Sequence, residues 1–176
     1  MNRLLFVFIL AFAALFTACN TDTANNNDSS ETTSTEPLDN SGYASKANPV
    51  GDAPYAEVLT FNYWVFEKYY HPDKAQKALG KGRWFKFEKD GSFTSGRWQD
   101  QTANGSWRTY EREGRTFIAL DSSIDREDAE FEIQAITQDK DQMAWVGTAS
   151  YPNYDQVALV TGNLMTIPTK AQYGVE

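Results

Sequence analysis

The chain has 176 residues, with 16 Lys and Arg against 24 Asp and Glu, a formal net charge of −8 at neutral pH. Acidity of that size disfavours nucleic acid as a partner, because such partners are held by neutralising phosphates, and only Lys81-Gly82-Arg83 and Arg112 to Arg115 gather local positive charge. A single cysteine and a single histidine exclude a disulfide framework and the usual zinc ligand sets.

The chain opens with Met1-Asn2-Arg3 and an unbroken apolar run from Leu4 to Phe16, followed by the small residues Thr17 and Ala18. A charged start, a short apolar stretch and small residues at its end predict a secretory signal. The run falls short of the roughly 20 apolar residues that a spanning helix needs. Phe16-Thr17-Ala18-Cys19 resembles the lipobox of bacterial lipoproteins, with Phe16 where leucine is usual. The resemblance implies a signal peptide over 1–18, lipid on Cys19 and the membrane as a partner through that lipid. Asn20 in place of aspartate after the cysteine points to the outer membrane of the cell envelope in preference to the inner.

Residues 20–45 hold five acids, no Lys or Arg and almost nothing apolar before Tyr43. Such a stretch cannot bury enough surface to offset its ordering entropy, so a disordered acidic tether is expected over 19–52. The rest, 53–176, is rich in aromatic residues and long enough for one core but not two.

Within that domain the hydrophobic period is close to two. A first strand falls around Tyr63 to Tyr69, and Asp73 to Leu79 suits a short helix. Arg83 to Glu88 and Ser92 to Gln99 alternate on either side of Asp90-Gly91, a strong hairpin signal. A polar connection, Asp100 to Asn104, leads to Ser106 to Glu111; Arg112-Glu113-Gly114 turns into Arg115 to Ser122. Further runs cover Glu130 to Thr137, Gln142 to Ala149 and Val157 to Thr161, the last extended by Leu164 to Ile167. About eight short strands at regular spacing predict an all-β, antiparallel up-and-down meander closed into a barrel, with a β-sandwich as the alternative.

Period-two register places Phe85, Phe87 and Phe93 on one face, with Lys86 and Glu88 on the other. The same choice on the remaining strands selects Trp64, Trp107, Ile118, Leu120, Phe131, Ile133, Met143 and Trp145, then Val157 and Leu159. This inner face either packs solid or lines a space for an apolar ligand.

GRWFKFEKDGSF, the triplets Gly96-Arg97-Trp98 and Gly105-Ser106-Trp107, and QMAWVG carry a resemblance to the lipocalin-like lipoprotein domains of bacteria, over roughly Leu59 to Gly162. The Gly-x-Trp signature of that family belongs on the first strand, where this chain has Asn62-Tyr63-Trp64. The resemblance implies a closed lipocalin-like barrel that holds a small hydrophobic ligand against the face from Trp64 to Trp145. A different reading is an interaction module with a solid core that meets an envelope protein through exposed aromatics such as Trp84, Trp98, Tyr110 and Tyr151.

Catalytic chemistry finds no support in the sequence. His71, in Tyr70-His71-Pro72-Asp73, reads as a solvated loop residue. Asp121, Asp125, Glu127, Asp128 and Glu130 crowd one stretch without the spacing of a calcium loop, which reads as a charged surface loop. Glu111 and Glu113 flank a turn and read as solvated rather than as a glycosidase pair. No nucleophile elbow, phosphate-binding loop or dinucleotide fingerprint is present, and the expectation is a non-enzyme without cofactor or metal.

Overall fold

The computed structural model describes residues 45–175, so the signal peptide, Cys19 and the tether up to residue 44 lie outside the described residues. Eight strands form the fold: β1 Tyr63–Tyr70, β2 Arg83–Phe87, β3 Ser92–Arg97, β4 Asp100–Arg112, β5 Arg115–Ser122, β6 Ala129–Ile136, β7 Gln142–Gly147 and β8 Ala158–Leu164. Each pairs antiparallel with the next, and β1 pairs with β8, so the sheet closes into an up-and-down barrel. Closure removes the exposed strand edges that an open sandwich would leave.

Turn chemistry explains the hairpins. Between β2 and β3, Gly91 takes a φ of +82°, and a Cβ there would lie 1.9 Å from the Asn48 carbonyl oxygen, so only glycine fits. Asp90 Oδ1 accepts from both the backbone N–H and the hydroxyl of Ser92, which fixes the start of β3. The expected polar connection at 100–104 is instead the first part of β4, because β3 turns earlier, at Trp98-Gln99, with Trp98 left-handed at a φ of 54°. Two short helices flank β1. α1, Ala56–Leu59, was not foreseen; α2, Lys74–Leu79, is capped by Asp73, whose Oδ1 accepts from Ala75 N at 2.7 Å. His71 Nδ1 accepts from Asp73 N at 2.9 Å, which gives the histidine a place in that same turn.

The eleven side chains selected by register, from Trp64 to Trp145, belong to one cluster inside the barrel, together with Val157 and Leu159. Rings cross the interior: Phe87 lies 4.9 Å from Trp107 and 6.3 Å from Trp145, and Trp145 lies 5.8 Å from Phe131, all centroid to centroid. Such spacings are those of packed aromatic pairs.

Both ends are closed. At one end the strap of residues 45–61 crosses the opening: Val50 N donates to Lys89 O at 3.1 Å, and Thr109 Oγ1 donates to Pro54 O at 2.6 Å. There α1 inserts Ala56 and Leu59 into the core, and the Trp64 indole N–H donates to Leu59 O at 3.0 Å. Residues 45–52, expected in the tether, are thus part of the domain, because backbone bonds to a hairpin hold them where their own side chains could not. At the other end, Tyr154 packs its ring edge-on to Phe131 at 5.2 Å. Arg83 sits over Phe66 at 5.5 Å and pairs with Glu127 at 3.3 Å. Burial works against the Arg83 charge, and Tyr154 and Glu127 more than restore it, raising its pKa.

Candidate functional site

A space able to hold a ligand leaves its lining open to a water-sized sphere. Trp64, Phe87, Ile118, Phe131 and Trp145 have 0% exposure, and the other six residues of the expected lining reach no more than 7%. The structure therefore brings the eleven residues together facing inward and leaves no ligand-sized space against them. This is the density of an ordinary protein interior. Ser95, 1% exposed on the strand beside β2, has a hydroxyl with no hydrogen-bond partner.

Open volume lies outside the lumen, at the strap end. A cleft of about 660 Å³ is walled by Pro49, Val50, Ala53, Pro54, Tyr55 and Val58, with Lys89 and Lys140 at its rim and Asp52 and Glu57 on the strap side. A second depression, about 280 Å³, shares Glu57, Val58 and Lys140 and adds Phe61, Asp139, Asp141 and Asn163. The larger volume is within the usual range of small-molecule sites, roughly 300–1,000 Å³.

The local chain explains why the cleft stays open. Lys89 comes from the β2–β3 hairpin and Lys140 from the β6–β7 hairpin, so two turns reach past the strap from different sides. The second turn is held by Thr137 Oγ1 donating to Asp141 Oδ1 at 2.9 Å, and Asn163 N donates to Asp141 O at 2.7 Å. Asn163 also donates through Nδ2 to Phe61 O and accepts from Asn62 Nδ2 at 3.1 Å, pinning the chain between α1 and β1. Tyr55 and Lys140, which line the cleft, and Asn62, next to Phe61, are left-handed without being glycine, at φ of 58°, 62° and 57°. For a bulky residue such as Tyr55 that conformation costs about 1–2 kcal/mol, and strain of this kind gathers at functional sites. Phe61, which lines the second depression, is 66% exposed, and Tyr55, which lines the first, is 36% exposed.

The aromatics expected as exposed anchors are buried. Trp84 donates its indole N–H to Trp98 O at 2.8 Å and stands edge-on to Tyr63; Trp98 packs against Tyr173; Tyr110 stacks on Phe117 at 5.6 Å; Tyr151 is also buried. Trp84 and Tyr110 lie on the outer side of β2 and β4, Trp98 in the β3–β4 turn and Tyr151 in the β7–β8 loop, and in each place the surrounding protein covers the ring. The acidic stretch is corrected in the same way. Asp121 accepts from Ser45 N at 2.8 Å, and Asp128 Oδ1 accepts from Ser122 N at 2.7 Å. Burial, with Asp121 and Asp125 nearby, pushes the Asp128 carboxyl up to about 6 against that Ser122 bond. Glu130 is also buried; Tyr110, Thr148 and Ser150 donate hydroxyls to it and Arg112 pairs with it at 3.3 Å, which together outweigh burial and hold its carboxyl below the usual range. These oxygens are occupied by protein donors, and no group of three metal-ligating side chains gathers among the described residues. Glu111 and Glu113 are exposed, the latter 3.4 Å from Arg115.

No family model and no curated protein matches the chain. Among solved structures it is similar to the crystal structure of a DUF4847 family protein from Bacteroides vulgatus ATCC 8482, at 14% identity and a TM-score of 0.39, over 65% of this chain and 99% of that one. The class defined by the coordinates is an eight-stranded antiparallel up-and-down barrel, a fold compatible with ligand binding.

Proposed function

We propose that the protein is a non-enzymatic binding module of the cell envelope, held by lipid on Cys19, that takes an apolar molecule with an anionic group in the strap-end cleft and not in the barrel lumen. The observation that carries this reading is the contrast between a lumen whose central rings have 0% exposure and a cleft of about 660 Å³ that adjoins a depression lined by the exposed Phe61. The apolar strap would seat a chain or ring, and the Lys89 and Lys140 ammonium groups would meet the charge. The strained Tyr55 backbone supports the site, since a tyrosine held left-handed at the cleft needs a reason to be there.

Calorimetric titration with laurate, a simple apolar anion, tests the site. Binding that weakens about tenfold or more in Val58→Asp, in a protein that still unfolds cooperatively, is the expected result; tenfold corresponds to about 1.4 kcal/mol. No heat at millimolar laurate, or equal binding by the variant, contradicts it. The anchor is tested separately: labelled fatty acid is expected to enter the wild-type chain in its host and not Cys19→Ser.

A further inference from the structure

The cleft and the smaller depression at the strap end adjoin, because Glu57, Val58 and Lys140 line both. Their characters differ. The cleft is walled by Val50, Ala53, Pro54 and Tyr55, and its two lysines, Lys89 and Lys140, balance Asp52 and Glu57. In the depression a single lysine, Lys140, meets three carboxylates, Glu57, Asp139 and Asp141, and the apolar lining is reduced to Val58 and the 66% exposed ring of Phe61. From one side to the other the order is apolar wall, ammonium at the boundary, then carboxylates beside an aromatic ring. None of the ion pairs among the described residues uses any of these six charged side chains, so all of them face open volume instead of a protein partner.

That order limits what an apolar anion can be. An anionic group held at Lys140 sits at the edge of the three carboxylates, well inside the screening length of about 8 Å at physiological salt, so an anion alone is repelled from one side. A cation following the anion in the same ligand turns that repulsion into attraction. The Phe61 ring adds to it, since a cation is drawn to an aromatic face. The spacing is short. Asp139, Lys140 and Asp141 are consecutive residues of the β6–β7 turn, whose neighbouring Cα atoms stand about 3.8 Å apart, and Thr137 Oγ1 donating to Asp141 Oδ1 at 2.9 Å holds the turn. The ligand's two charges are therefore separated by only a few atoms.

We propose that the ligand is a single-chain zwitterionic amphiphile: its chain lies in the cleft against Val50, Pro54 and Val58, its anionic group meets Lys140, and an ammonium a few atoms further on enters the depression between Glu57 and Asp139, against Phe61. This rests on the reading of the cleft given above and adds the head group. The depression is then the part of the site that selects, because it separates a zwitterion from a plain anion with the same chain.

Calorimetric titration of the protein with dodecylphosphocholine and with dodecyl phosphate, both below the concentrations at which they form micelles, tests the head group, and the readout is the ratio of the two affinities. An exposed cation–π contact and exposed ion pairs are each modest, and together they set the expected preference for dodecylphosphocholine at about tenfold. Phe61→Ala, and Glu57→Gln combined with Asp139→Asn, are expected to reduce that ratio to about threefold or less while dodecyl phosphate binds as well as before or better. These side chains lie outside the barrel core, and a ratio taken within one protein is unaffected by a loss of folded material. Phosphocholine without a chain is expected to bind at least tenfold more weakly than dodecylphosphocholine, which separates an amphiphile from a small soluble zwitterion. Dodecyl phosphate binding as tightly as dodecylphosphocholine overturns the proposal, as does a preference that survives both variants or phosphocholine binding as tightly as the amphiphile. Laurate and dodecyl phosphate binding without any preference for the zwitterion overturns this inference and leaves the cleft standing; absence of binding by laurate and by both dodecyl compounds overturns the two together.

Discussion

Replacing Phe87 by alanine probes the packed lumen at its centre. The ring has 0% exposure and meets Phe85 at 5.7 Å, Phe93 at 6.2 Å, Trp107 at 4.9 Å and Trp145 at 6.3 Å, so four neighbours lose a partner at once. Truncating a buried Phe where the surroundings relax little costs about 3–5 kcal/mol. That is a large share of the roughly 5–15 kcal/mol that holds a domain folded, and lowers its melting temperature by roughly 10–20 °C. Urea unfolding followed by tryptophan fluorescence measures the loss, and the new apolar cavity should recover part of it when saturated with benzene. A loss below about 1 kcal/mol, with no response to benzene, would refute the reasoning, because it would mean that the wild-type ring already borders open space.

Asp128→Asn keeps an oxygen for the Ser122 N–H and removes a charge whose pKa is raised to about 6 in the fold from the usual 3.8 of an aspartate. Between those values the native state binds more protons than the unfolded one, so this carboxylate costs stability above pH 6 and nothing below about pH 4. The variant should be about 1–3 kcal/mol more stable than wild type at pH 7.5 and equal to it at pH 3.5, in denaturant titrations at both pH values. Ser95→Ala removes a buried hydroxyl without a partner and should leave stability unchanged or raise it by up to about 1 kcal/mol; a loss above about 1 kcal/mol would show that the hydroxyl is bonded in solution. Tyr55→Gly relieves the left-handed strain but frees the unfolded chain, so thermal stability should stay within about 1 kcal/mol of wild type while laurate binding weakens.

Alternation in the sequence was enough to set β5 at Arg115–Ser122 and to sort lumen from wall, because a period of two leaves a residue only two faces. It could not tell a hollow barrel from a solid one. Phe85 and Trp145 look the same in either, and only their stacking at 6.3 Å across the lumen decides. Trp84 and Tyr110 were expected as exposed anchors; Tyr63 on β1 and Phe117 on β5, which pack against them, come from other strands, which no local pattern encodes. The cleft was missed for a related reason. Its walls are residues 49–58, a stretch with Pro49, Gly51 and Pro54 that carries no strand period, and it is ordered by bonds to Lys89 O and Thr109 Oγ1 far along the chain. A usable signal did exist in Ala56-Glu57-Val58-Leu59, whose Ala56 and Leu59 stand three apart as on a buried helical face.

Where an apolar anion binds is the question at the centre of this account. Two-dimensional NMR of the isotopically labelled protein titrated with laurate answers it residue by residue. The account predicts that amides of Val50, Tyr55, Val58, Lys89 and Lys140 shift together and saturate, while the buried indole N–H of Trp145 and the amides of Phe87 and Phe131 stay in place. Saturable shifts centred on Trp145, Phe87 and Phe131, with the strap unmoved, would place the ligand in the lumen and contradict it.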